Sequence, residues 1–208
     1  MLMNENSALE SIRREPTQKR SRERVERILS CASALIERSG SDALRMSDVA
    51  EMAGISIGSL YQYFPDKGAI IRTLAERYNV LGRQCIAEEL QGVTDRKGLR
   101  RAFGKLIDIY YELFLAEPVM RDIWSGTQAD KALRDIDLAD SRINGAVLAA
   151  ARARVDAGAD RAELATSSFL IMQLGEATMR LAISVERREG DALVEHFKRM
   201  VLREMMEG

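Results

Sequence analysis

MSDVAEMAGISIGSLYQYFPDK, residues 46–67, is the stretch on which the reading of this chain turns. Ser47-Asp48 can open a short helix that carries Val49, Ala50 and Ala53 inward, and Gly54 can close it in the left-handed conformation. Ser56 then caps a second short helix, expected to run through Phe64 with Leu60 and Phe64 turned to the core. The link Ala53-Gly54-Ile55-Ser56 is a brief glycine-containing turn, the spacing that sets two helices across one another in a helix-turn-helix. Ile55 is placed to plug the core beneath that turn. Pro65 stops the second helix, and Asp66 supplies the cap of the next one.

Upstream, Val25, Ile28, Leu29, Ala32, Leu35 and Ile36 recur at spacings of three and four, a helical stripe that ends at Ser39-Gly40. Residues 1–18 are polar, lack that periodicity and contain Pro16, so they are expected to form a flexible arm. Downstream, Ile70, Ile71, Leu74, Tyr78, Leu81 and Ile86 give the inner face of a long helix. Helical patterns continue over Leu99–Ala116, restart after Pro118, and then cover about 131–156 and 160–188. Gly190-Asp191 is expected to separate the last two helices, the final one carrying Leu193, Val194, Phe197, Met200, Val201 and Met205. No alternating run argues for a strand.

The fold expected is therefore all-α: an N-terminal three-helix helix-turn-helix domain followed by a larger helical domain. The boundaries expected are an arm over 1–18, the helix-turn-helix over 19–66 and the body over 67–208. Composition agrees. In 208 residues, 46% are hydrophobic and 30% charged, which excludes a disordered chain, while three prolines and 5% aromatics suit helices better than a sandwich. Lys and Arg (31) nearly cancel Asp and Glu (32), so any contact with nucleic acid needs a local patch. The span Arg13–Arg27 supplies one, with seven basic residues against three acidic.

Catalysis is not expected. The only histidine is His196, no glycine-rich phosphate loop or GxSxG occurs, and Cys31 and Cys85 lack CxxC spacing or a nearby partner. The two cysteines are read as small buried apolar residues, and neither a metal site nor a cofactor is expected. No segment approaches the roughly 20 apolar residues of a membrane span or the run of a signal peptide, which predicts a soluble cytoplasmic protein.

Taken together, RSRERVERILSCASALIERSG (20–40) and MSDVAEMAGISIGSLYQYFPDK closely resemble the DNA-binding domain of the TetR family of transcriptional repressors. The helix-turn-helix of that family ends in a pattern like GxLYxYFxxK, here Gly58-Ser59-Leu60-Tyr61-Gln62-Tyr63-Phe64-Pro65-Asp66-Lys67. The resemblance covers about residues 17–75. EPVMRDIWSGTQAD (117–130) and DLADSRINGAVLAA (137–150) also look like segments of some members. It implies a homodimer with one helix-turn-helix per subunit, double-stranded operator DNA as partner, and a variable helical domain that takes a small molecule. It also implies a phosphate contact for Lys67, and backbone contacts for Arg45 and Ser47. Arg45 stands where the family usually has a hydroxyl residue, so whether it caps the helix or adds a charge is left open.

The residues themselves suit that role. A recognition helix must come close to bases, and Ser56, Ile57, Gly58 and Ser59 keep its start slender. Tyr61, Gln62 and Tyr63 are expected to face outward as hydroxyl and amide groups, Tyr61 toward bases and Tyr63 toward phosphate. Lys67 adds its ammonium to a positive helix N-terminus. Lys19, Arg20 and Arg22, expected to precede the first helix, are placed to reach a phosphate or the minor groove, whereas Arg24 and Arg27 fit a solvated face as well.

In the body, Phe103, Ile107, Tyr110, Phe114, Met120 and Trp124, with Phe169, Met172 and Gln173, are expected to line a pocket for a mostly apolar effector. Leu170, Leu174 and Leu181, with Phe197 and Val201, are expected to pack against a second copy. The alternative is a helical interaction protein that uses the helix-turn-helix only as a structural module.

Overall fold

The structure, a computed structural model, describes the backbone of residues 5–126 and 130–207, and the side chains of 18–126 and 130–205. Among these residues all regular structure is helical: α1 (Glu5–Ser39), α2 (Met46–Met52), α3 (Ile57–Tyr61), α4 (Lys67–Gln91), α5 (Arg96–Ala116), α6 (Pro118–Gly126), α7 (Lys131–Val155), α8 (Arg161–Ser184) and α9 (Arg187–Glu207). The chain divides into two compact units, Met1–Leu74 and Ala75–Gly208. None of the helices described is long and apolar enough to cross a membrane.

The first unit is held by Ile28, Leu29, Ala32 and Ile36 of α1, packed with Leu44, Val49, Leu60, Phe64 and Ile70. The expected left-handed glycines are present: Gly40 has φ 79° after α1, and Gly54 has φ 64° after α2. Within the expected arm, residues 5–18 are helical, because α1 begins at Glu5 and continues through Pro16, while residues 1–4 lie outside the described residues. Ala, Leu, Glu and Arg in Ser7–Glu15 have high helix propensity, which needs no apolar stripe to act. Lys19, Arg20 and Arg22 consequently lie within α1 and do not precede it.

In the second unit, carboxylates cap the starts of three helices. Asp95 Oδ1 accepts from Gly98 N at 2.6 Å, Asp130 Oδ1 from Ala132 N at 2.7 Å, and Asp160 Oδ1 from Ala162 N at 2.8 Å. At the other end of α4, Arg154 Nη2 donates to Leu90 O at 2.5 Å and satisfies a carbonyl that the helix leaves unpaired. α7 and α8 approach closely at Gly145, where an added Cβ would stand 2.9 Å from Phe169 Cα.

The break between the last helices falls at Val185-Glu186 and not at Gly190-Asp191. Gly190 sits in the first turn of α9, buried, where a Cβ would collide with Ala182 O and stand 3.0 Å from Tyr111 Oη. Its glycine answers a close approach between helices, a different requirement from a chain break.

Candidate functional site

α3 is five residues long, too short to persist by its own backbone hydrogen bonds. It is fixed from below and at its start. Leu60 is fully buried, and Ser56 Oγ accepts from Ser59 N at 3.1 Å, as expected of the cap. Ile55 N donates to Ala50 O at 3.0 Å and ties the turn to α2. α3 ends at Tyr61, three residues before the expected Phe64, although Tyr63 N and Phe64 N both still donate to Leu60 O at 3.0 Å. Phe64 is buried in the unit core.

What this scaffold presents outward is apolar and aromatic. Ile57 is 44% exposed and Tyr61 51% exposed, although water would favour burying both. Gly58 and Gln62 are exposed, and Ser59 and Tyr63 are half-buried. A Cβ built on Gly58 meets nothing within 4 Å, so the backbone there is open to close approach from outside.

Asp66 Oδ1 accepts from Ala69 N at 2.7 Å and caps α4, as expected. Lys67 is exposed, yet its Nζ donates to Asp42 O at 2.8 Å and Ser41 O at 3.5 Å, so it also ties down the loop between α1 and α2. An ammonium has three donors, which leaves Nζ capacity for one further acceptor. Arg45 occupies the N-cap position of α2 and makes no side-chain cap there. Its exposed guanidinium is therefore an added charge, which resolves the alternative left open by the sequence. Ser47 Oγ donates to Asp48 Oδ1 at 2.9 Å. Lys19, Arg20, Arg22, Arg24 and Arg27 are all exposed along α1.

The second unit contains a cavity of about 300 Å³. Phe103, Ile107, Tyr110, Met120, Trp124 and Met172 line it, as expected. Three expected residues stand elsewhere. Phe114 is fully buried behind the wall, edge-on to both Tyr110 and Trp124, with ring centroids 5.0 and 6.5 Å away. Phe169 lies in the α7–α8 contact under the Arg142 guanidinium, 4.5 Å from its ring centroid. Gln173 Nε2 donates to Ser141 Oγ at 2.7 Å and is no part of the lining.

Sequence reading missed the polar part of that cavity: Asn79, Glu117, Asp140, Asn144 and Glu176 are also lining residues. Asp140 is paired with Arg83 and accepts from Asn144 Nδ2 at 2.8 Å. Burial raises the Asp140 carboxyl, while the bonds from Arg83 and Asn144 pull it back. Glu176 Oε1 accepts from Ser141 Oγ at 2.8 Å. Burial first, and Asp137 beside it second, push the Glu176 carboxyl up to about 10, so it is a neutral acid at neutral pH. Burial, reinforced by Glu176 and Asp137, likewise pushes the Tyr110 phenol well above its ordinary value.

On the surface of the second unit, Leu170, Leu174 and Leu181 of α8 are 55%, 46% and 49% exposed and follow one helical stripe. Phe197 and Val201, expected beside them at an interface, are buried within the chain, and Phe197 lines the cavity. Both cysteines are free and half-buried, Cys85 at the cavity wall and Cys31 on α1, so neither is fully interior. Leu81, expected on the inner face of α4, is 62% exposed, although it borders the cavity. His196 is exposed, its Nδ1 3.1 Å from Arg199 Nη2.

Residues 28–74 match a family described as bacterial regulatory proteins, tetR family, and residues 97–207 one described as tetracyclin repressor-like, C-terminal domain. The HTH-type transcriptional repressor KstR of Mycolicibacterium smegmatis is 37% identical over 78 residues, 38% of this chain and 34% of that repressor. This chain thus spans about a third of that relative's length. Among solved structures, a TetR-family transcriptional regulator from Streptomyces coelicolor has a TM-score of 0.66 at 22% identity, covering 88% of this chain and 98% of that one. The fatty acid degradation regulator FadR of Bacillus halodurans has a TM-score of 0.65 at 15% identity, covering 86% and 94%. Both likenesses concern the fold.

Proposed function

The chain belongs to the TetR family of bacterial regulatory proteins, and from that membership we propose that it is a ligand-responsive transcriptional repressor. It binds a palindromic DNA operator as a homodimer and leaves it when a small molecule occupies the cavity of the second unit. The observation that carries this reading is α3 itself: a capped, buried-side-anchored helix start that exposes Ile57, Gly58 and Tyr61 over a fully buried Leu60. Exposing Ile57 and Tyr61 costs stability unless a partner covers them, and a major groove offers both thymine methyls and hydrogen-bonding edges.

In this reading Ser56, Ile57, Gly58, Ser59 and Tyr61 approach the bases. Gln62, Tyr63, Arg45, Ser47 and the remaining donor of Lys67 meet phosphates. Lys19, Arg20 and Arg22 extend the contact along the backbone or into the minor groove. Leu170, Leu174 and Leu181 meet their copies in the partner subunit, and the two recognition helices then read half-sites about 34 to 36 Å apart. α4 contributes residues to both units, so a molecule touching Tyr78 or Ile86 touches the helix that begins at Lys67. Ligand binding need only favour one setting of that helix to lower operator affinity.

The test is selection of duplexes from a random pool by the full chain. A repeated inverted motif among the bound sequences supports the reading. Recovery of unenriched sequence, or of a motif without two-fold symmetry, refutes it.

A further inference from the structure

The cavity carries information about what it holds, given the reading above that it is the effector site. Its walls are mostly apolar and aromatic, and no arginine, lysine or histidine is among its lining residues. Arg83 is paired with Asp140, while Arg180, outside the lining, stands 3.9 Å from Asp137 and from Glu176 with its Nη1 making no hydrogen bond. A carboxylate or phosphate ligand would therefore enter a site with acidic groups and, among the described residues, no cation in its wall, and burying an unpaired anion costs several kcal/mol.

Two polar atoms in the wall lack a hydrogen bond, Glu176 Oε2 and Asn144 Oδ1, and of the two the amide oxygen is the one that can only accept. Asn144 is 7% exposed; its Nδ2 donates to Asp140 Oδ2, which fixes the amide orientation, and its Oδ1 accepts from nothing. A buried acceptor without a donor is a cost that a ligand can remove. Tyr110, on α5 and also in the lining, brings a phenol to the same cavity. A hydroxyl both donates and accepts, so it suits an acceptor and a phenol together.

We propose that the effector is an uncharged, mainly apolar molecule bearing a hydroxyl group, whose proton is donated to Asn144 Oδ1. Carboxylates and phosphate esters are rejected by the missing cation.

Trp124 is the only tryptophan of the chain and lines the cavity, so its fluorescence reports occupancy. The full chain is titrated at neutral pH with 2-naphthol, 2-methylnaphthalene and 2-naphthoate, probes that share one apolar body. The expected result is that 2-naphthol binds about tenfold or more tightly than its methyl isostere, the loss of one hydrogen bond to a buried acceptor. It should also bind more tightly than 2-naphthoate. Asn144→Leu should bring 2-naphthol and 2-methylnaphthalene within about threefold of one another, with thermal melting as the check on folding. The wild-type series stands alone should that variant not fold. Tighter binding of the naphthoate, equal binding of the methyl isostere, or no binding by any probe overturns the proposal. If 2-naphthol wins but leaves the affinity for a selected duplex unchanged, the effector reading fails while the polarity of the cavity stands.

Discussion

Replacing Glu176 by glutamine should make the protein more stable, and increasingly so as the pH rises. The carboxyl of Glu176 moves from an ordinary 4.5 to about 10 on folding, burial being the first cause and Asp137 the second. Between those values the folded protein holds a proton that the unfolded chain gives up. The stability tied to that proton is complete below pH 4.5 and is lost as the pH rises toward 10. At about 1.4 kcal/mol per pH unit, the loss reaches on the order of 3 kcal/mol by pH 7. Glutamine keeps the shape, can accept from Ser141 and donate to Asp137, and does not titrate. Urea unfolding of Glu176→Gln and wild type, followed by Trp124 emission at pH 5, 7 and 9, measures the difference. Near-equal curves are expected at pH 5, and a gap of about 2 kcal/mol or more at pH 7 that widens at pH 9. A gap that does not change with pH would refute the assignment of a buried neutral acid.

Three further outcomes follow from the packing. Gly190→Ala should lower the melting temperature by several degrees, since the new Cβ has no room beside Ala182 O and overpacking typically costs about 1 to 3 kcal/mol; an unchanged melt would show that α8 and α9 can separate freely. Leu174→Arg with Leu181→Glu should yield a folded monomer in sedimentation, whereas persistence of a dimer would place the interface off this stripe of α8. Gly58→Ala should leave the melt unchanged or raise it, because the added methyl meets nothing and alanine is favoured over glycine in helices by about 1 kcal/mol. A clear drop in melting temperature would contradict the open space at that position.

The helix-turn-helix was legible because its punctuation is local. Gly54 must take a positive φ, and Ser56 and Asp66 each hold a backbone N–H three residues on, requirements that are met by single residue types at fixed positions. The start of α1 was not legible, because propensity without periodicity leaves no stripe to read. Gly190 was misread because a glycine looks the same in sequence whether it breaks a helix or admits a neighbour. The polar part of the cavity was hidden by the habit of assigning charge to surfaces. A signal did exist: Asp137, Asp140, Ser141 and Asn144 fall in helical register between Leu133 and Leu148, all six of them buried. Phe197 and Val201 share an apolar pattern with the exposed α8 leucines, and only the packing of α9 within the chain separates core from surface there.

The central claim is that the start of α3 enters a DNA groove. Fluorescence anisotropy of a duplex selected from the pool, titrated with wild type, Gly58→Ala and Tyr61→Ala over a range of salt, tests it most directly. For the wild type, log K should fall linearly with log salt, by about 0.9 per phosphate neutralised. Both variants should lose about tenfold or more in affinity for the selected duplex while keeping the same salt slope, since they alter base contacts and not phosphate contacts. Wild-type affinity in both variants would contradict the claim.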